Sequence, residues 1–401
     1  MARVIVKGRS KKKNYSWIYV LTIMISVLFI FFGNKIASKN MTAFDNSGDM
    51  MVVRAKIVEI VDVIEATESI GADSTITIRD IIFRANLESG PEKGTEITGV
   101  QSLNSYFVTS PREVSIGDKI ILYEFQNETY LTNWVFGDYV RTDALLILGV
   151  IFAVLLIIFG RSKGLQTLIS LTFTILAVFF VFVPAILSGY NIYIWTMIVC
   201  VFVIFMTLII VSGISIKTVA ASIGCLSGVL FSAGMVFVMD YFLKLTGVVD
   251  QDSVYLILLN PENPINLKGI FFGSIVIGAM GAIMDVSMSI SSALFEMKEK
   301  YAANSWSQLV NSGMTIGRDI MGTMANTLVL AYIGSSLSIV LLLIAYNPSM
   351  LDLMNREMVI IEILQALIGS LGILMTLPLT AIVSGLLYSR TIDKNRLRNR
   401  V

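Results

Sequence analysis

The chain contains no histidine. That excludes imidazole-ligated zinc, haem held by a proximal histidine, histidine general bases and histidine pH switches. Cysteine is nearly absent. Cys200 and Cys225 both fall inside apolar runs without metal-ligand spacing, so they read as small core residues rather than a redox pair. Charge is also scarce, at 15% of 401 residues against 55% hydrophobic residues and a mean hydropathy of +0.77. A water-soluble domain of this length does not carry that balance, whereas a polytopic membrane protein does. No P-loop, dinucleotide fingerprint or nucleophile elbow occurs. The chain is therefore not expected to be an enzyme: no catalytic residue, cofactor or metal site is anticipated, and nothing points to nucleic acid.

What charge there is sits at the two ends and in one block near the N-terminus. Six Lys/Arg residues, from Arg3 to Lys13, precede an apolar run over 17–32. Gly33, Asn34 and Lys35 do not make a small-x-small cleavage site, so the run reads as an uncleaved anchor. Over 40–142 every charge type appears and short alternating runs replace the apolar ones. Candidate strands are 51–64, 75–83, 96–101 and 118–125, separated by turn-forming stretches at 90–94 and 115–118. This spacing suggests a small β-barrel or sandwich.

Seven further apolar segments follow, at 143–160, 165–187, 191–212, 217–243, 268–296, 317–346 and 357–388, making eight with the first. Arg390, Lys394, Arg396, Arg398 and Arg400 make the C-terminal tail basic like the N-terminal one. Both ends then belong in the cytoplasm, which requires an even number of spans. Arg161, Lys163, Lys217, Lys298 and Lys300 all fall on that same side, and 40–142 falls outside. The fold class expected is a membrane all-α bundle of about eight helices with a small extracytoplasmic β-rich domain. Its parts are a basic tail over 1–16, an anchor over 17–36, the β-rich domain over 40–142, a seven-helix region over 143–388 and a second basic tail over 389–401. The loop over 246–267 reads as a solvated connector, and the stretch 296–308 as an interfacial amphipathic segment anchored by Trp306.

Candidate site residues come from polar positions inside the apolar C-terminal half. Asp285, Ser289, Ser292 and Glu296 are four, three and four residues apart and share a helix face, extended upstream by Ser274, Gly278 and Gly281. Asp319, Thr323 and Asn326, beside Arg318, repeat the theme on the next segment. Glu362, Gln365, Gly369, Gly372 and Thr376 do so on the last, and Gly224, Gly228 and Ser232 on the fifth. Charged faces are costly against lipid, so these faces are expected to look inward at one another or at a cavity. Small residues at these intervals also serve close helix packing, and Arg318 could pair with Asp285 as a clasp between two helices. Two aspartates on adjacent spans are the minimum for an intramembrane aspartyl hydrolase. Here Gly317 and Arg318, not Gly-x-Gly, precede the second, and the adjacent arginine would hold both carboxylates ionised.

The stretches 278–292 (GAMGAIMDVSMSISS) and 317–327 (GRDIMGTMANT), the latter continuing to Ala331 and Tyr332, resemble those of the YibE/F family of bacterial membrane proteins. The likeness extends more loosely over nearly the whole chain. It implies one N-terminal span, an extracytoplasmic domain and a multi-span region in the cell membrane of a mostly Gram-positive group. The family's biochemical role is unassigned, with transport often presumed. The leading expectation is a permease-like protein moving a small solute or ion through the interior of the last four segments. Asp285 and Asp319 would bind the cation or proton, Arg318 would poise them, and Ser289, Asn326, Glu362 and Gln365 would line the path. The alternative is a non-transporting envelope sensor or assembly scaffold whose outer domain binds a partner. Partners expected are the bilayer, the transported species and a homologous or neighbouring membrane subunit.

Overall fold

The computed structural model describes residues 16–41, 51–69, 75–104, 112–127, 132–249, 251–259, 264–300, 305–346 and 349–398. The expected basic N-terminal tail lies outside them, as do Asp250, Pro261, Glu262 and Tyr301. The chain forms two compact units, one over 44–155 and one combining 1–43 with 156–401.

The first unit is a closed five-stranded barrel in the order β1-β2-β3-β5-β4, with β1 spanning Val52–Ser69, β2 Thr75–Leu87, β3 Glu96–Asn104, β4 Lys119–Asn127 and β5 Thr132–Tyr139. All neighbours run antiparallel except β3 and β5, which pair in parallel at Gly99 with Trp134 and Val100 with Val135. It is a small barrel of the five-stranded Greek-key kind. Period-two alternation builds its core: Val53, Ala55, Ile57, Ile81, Phe83, Ala85, Ile120 and Leu122 point in, while Arg54, Lys56 and Arg84 point out. Gly99 lets the Phe83 ring in, since a Cβ there would meet the ring at 2.8 Å.

The two expected turns are present. Gly117 takes a left-handed φ of 94° in one of them, and the Asp118 carboxylate accepts from the Ser115 amide at 2.9 Å. Sequence reading missed β5, whose Trp134 is buried and whose Gly137 has Tyr123 ring atoms where a Cβ would project. At the end of β5, Arg141 donates to Asp138 at 2.6 Å, and together with the Tyr139 amide this holds the Asp138 carboxyl below its ordinary pKa. Lys119 is raised by its hydrogen bond to Asp143, at 2.8 Å.

The helices are α1 (Ser16–Ala37), α2 (Thr142–Gly160), α3 (Ser162–Ala177), α4 (Val183–Leu187), α5 (Ile192–Ser212) and α6 (Ile216–Leu243), followed by α7 (Gln251–Leu258), α8 (Leu267–Lys300), α9 (Trp306–Ser335), α10 (Leu337–Tyr346), α11 (Met350–Leu353) and α12 (Glu357–Arg398). A π-helical turn, Val178–Phe182, joins α3 to α4. Among the described residues, seven helices are long and apolar enough to cross a membrane, or eight if the bent pair α9–α10 counts as one span. Thus the chain has the make-up of a multi-pass membrane protein with a small N-terminal sheet.

Four boundaries differ from the sequence reading. The seventh segment begins at Trp306, not 317, and bends by 60° between α9 and α10. Its start is fixed by a capping box: Ser305 accepts from the Gln308 amide and the Gln308 side chain accepts from the Ser305 amide. Consequently 296–308 is not one amphipathic segment, because α8 runs to Lys300 and α9 starts six residues later. The helix of the last segment runs past 388 into the basic C-terminal tail, as far as Arg398. The connector over 246–267 contains α7, and Glu357 of α12 holds its start by accepting from the Thr246 and Gly247 amides at 2.7 and 2.5 Å and from the Thr246 hydroxyl at 2.7 Å.

In this second unit α12 is the central helix, packed against α6, α8 and α9. The contacts are close because glycine on one helix faces hydroxyl or small aliphatic groups on another. A Cβ at Gly224 would sit 2.8 Å from Thr380 Cβ, one at Gly228 would collide with Thr376, and one at Gly313 would lie 2.9 Å from Ala381 Cβ.

Candidate functional site

The polar side chains that face the packed interior are hydroxyls. Ser287 lies 3.2 Å from Thr380 across α8 and α12. Ser291 shares a 2.7 Å hydrogen bond with Tyr388 and donates to the Lys217 carbonyl at 2.7 Å, so one hydroxyl ties α8 to both α6 and α12. Tyr388 also donates to the Ser291 carbonyl at 3.0 Å. Sequence reading missed this set. Its signal was the one-turn spacing of Ser287 and Ser291, lost among the other serines of 278–292.

The charged stripe takes the other side of α8. Ser274, Gly278, Gly281, Asp285, Ser289 and Glu296 are all exposed in the chain, and Ser292 is half-covered. The buried face belongs instead to Ile283, Ser287, Ile290, Ser291 and Leu294. On α9 the pattern repeats. Leu309, Gly313 and Gly317 are buried against neighbours, while Arg318, Asp319, Thr323 and Asn326 are exposed. The expectation that these faces look into the bundle is therefore corrected for α8 and α9. Gly224, Gly228, Ser232, Gly369, Gly372 and Thr376 do look inward, in the packing role.

Helices α8 and α9 run antiparallel and touch on either side of the charged residues. Leu294 packs on Gly313 at one end, and the Tyr332 hydroxyl occupies the space beside Gly278 at the other. Asp285 and Ser289 lie between the α8 contacts, and Arg318, Asp319 and Asn326 between the α9 contacts. Among the described residues neither Asp285 nor Arg318 has an ion-pair or hydrogen-bond partner, so the expected clasp between them is not formed within one chain.

Glu362 and Gln365 of α12 are half-buried and stand apart from that face. Glu362 lines a cavity of about 410 Å³ at the α9–α10 bend, with Tyr332, Ser336, Val359 and Ala366. The Ser336 hydroxyl there is buried and has no hydrogen-bond partner among the described residues. Tyr332 thus reaches both the top of the α8 stripe and the Glu362 cavity. A larger apolar cavity, about 830 Å³, is lined by Phe29, Tyr193, Phe202, Leu230 and Phe237 of α1, α5 and α6. Asp240 of α6 has its own partner, Lys268 of α8, at 3.2 Å. No group of His, Cys, Asp or Glu that could hold a metal occurs among the described residues.

The arrangement has two chemically different parts. One is a packed seam of glycines and hydroxyls that can hold helices together. The other is an uncovered face with a carboxylate pair, a guanidinium and an amide, able to bind charge. No curated protein and no solved structure matches the chain. The model of the YibE/F-like proteins matches residues 148–390, more than half of the chain and all of α5 to α10, so both the packed seam and the charged face lie within it. By that match, this chain belongs to the YibE/F-like family.

Proposed function

We propose that the protein is a permease-like transporter of a small ion or solute in the cell membrane, its path running along the polar face of α8 and α9. The observation that supports this reading is Asp285. It lies midway along a helix long and apolar enough to cross a membrane, and it has no counter-ion among the described residues. Intramembrane carboxylates are costly and commonly mark ion or proton pathways. Arg318, Asp319 and Asn326 supply further charge and hydrogen-bonding capacity on the adjacent helix. The 60° bend at the end of α9 is the kind of interruption that lines transport sites. Basic residues at both chain ends favour cytoplasmic termini and an outward-facing barrel.

The test is flux in proteoliposomes, read with an entrapped pH-sensitive dye under an imposed potassium diffusion potential, and with sodium as a second probe. Wild-type protein is expected to carry proton or sodium flux, and Asp285→Asn to abolish it at equal reconstitution. Equal flux in the two proteins sinks the assignment.

The close packing of α6, α8 and α12 favours a second reading, a non-transporting sensor or scaffold whose barrel binds a partner. Deleting 45–140 separates the two. Flux survives the deletion in a transporter, whereas every response is lost in a sensor.

A further inference from the structure

We propose that the exposed face of α8 and α9 is an interface with a second copy of this chain, in which Asp285 of each copy pairs with Arg318 of the other. The inference rests on charge and exposure; it gives Asp285 the counter-ion it lacks within one chain, so the transport path proposed above would run through this interface and require the pair to open. Asp285 sits on a helix long and apolar enough to cross a membrane, and Arg318 on α9, which passes that test only together with α10; both are exposed, and neither has a partner among the described residues. An unpaired carboxylate or guanidinium facing lipid is costly, so such groups are normally paired or covered. A covering surface must bring the opposite charge to each, and this face carries both.

A face bearing its own complement suits two-fold symmetry, in which residue i meets j and j meets i. Depth is consistent with that exchange. Counted from the Leu294–Gly313 contact, Asp285 is nine residues along α8 and Arg318 five along α9. At 1.5 Å per residue the two differ by about 6 Å in height, an offset that an arginine side chain spans. The stripe around Asp285 leaves room for close approach at Gly281 and Ser274, whereas beside Gly278 the space is already filled by the chain's own Tyr332 hydroxyl. A Cβ added at Gly281 would meet nothing within 4 Å in the chain itself. The face is thus open in one chain and closed in two.

The experiment is oxidative cross-linking of the full chain in native membranes. Gly281→Cys is expected to give a band of twice the chain mass, while Gly234→Cys, also exposed but on α6, is not. On the Gly281→Cys background, Asp285→Arg is expected to reduce the cross-linked fraction at least about tenfold, as is Arg318→Asp, since each puts like charges together. Combining the two reversals restores the pair with its sign exchanged, and with it the cross-link. That recovery also excludes misfolding as the cause of the single losses. Three results overturn the proposal: no dimer above the Gly234→Cys level, a cross-link indifferent to both reversals, or a product whose mass identifies a different protein. Flux is not read in this assay, so its outcome is separate from that of the transport test.

Discussion

Ser291 on α8 and Tyr388 on α12 share a buried 2.7 Å hydrogen bond, and the same serine donates to the Lys217 carbonyl at the start of α6. One hydroxyl therefore sits at the junction of three long helices. Hydrogen bonds between helices in an apolar surround are worth about 0.6 kcal/mol on average and rarely more than about 2. Tyr388→Phe is expected to lower stability by about 0.5–2 kcal/mol and to leave flux and cross-linking intact. Denaturant titration in detergent measures it; an unchanged midpoint removes the junction from the forces holding the bundle.

Gly228 has no room for a methyl group, because Thr376 fills the space. Gly228→Ala is expected to cost about 1–3 kcal/mol through overpacking. Adding Thr376→Ala should recover part of the loss, whereas Gly234→Ala, in open space, should be neutral. If Gly234→Ala proves as damaging as Gly228→Ala, the inside and outside faces of the bundle have been misassigned.

Glu357 gathers three hydrogen bonds from Thr246 and Gly247 at the start of α12. Glu357→Ala strands the buried Gly247 amide, leaving the exposed Thr246 groups to water, and is expected to cost roughly 1–3 kcal/mol. The local readout is amide hydrogen exchange over 244–249, which should accelerate well before exchange in α12. Uniform exchange across both segments would contradict a local clamp.

In the barrel, Asp138 is held below its ordinary pKa, first by Arg141 and then by the Tyr139 amide. A depressed carboxyl contributes stability that is present above the unfolded value, about 3.9, and is lost as pH falls through the folded one. The barrel should therefore weaken between about pH 4 and the lower folded value, and Asp138→Asn should flatten that acid limb. Hydrogen exchange of the β5 amides against pH is the measurement. An identical acid limb in the variant would assign the effect elsewhere.

Much of the architecture was legible because hydrophobic transfer leaves a local record. Apolar runs such as 191–212 and 217–243 agree with α5 and α6 to within a residue. Four strands were readable from alternation and from turns such as the one at Gly117. The fifth was not, since β5 is short and carries Gly137 where the Tyr123 ring intrudes. The break after Ser335 was missed as well: Gly334, Ser335 and Ser336 interrupt the apolar run there, but no Pro or charged residue marks it.

By itself the sequence determined that Asp285, Ser289 and Glu296 share one face of α8 and that Ser287 and Ser291 share another, because 3.6 residues per turn leave no choice. Only the tertiary structure decided which face goes in. Hydropathy ranks the face with Ile283, Ile290 and Leu294 above the one with Asp285 and Glu296, but it does not say whether a charged face in a membrane helix turns to a cavity or outward. The choice falls to shape: Ile283, Ser287 and Ser291 fit against Gly228, Gly372, Thr380 and Tyr388, and a carboxylate at 285 would have no complement there. The same packing that fills the interior with hydroxyls thereby leaves the charged face on the outside.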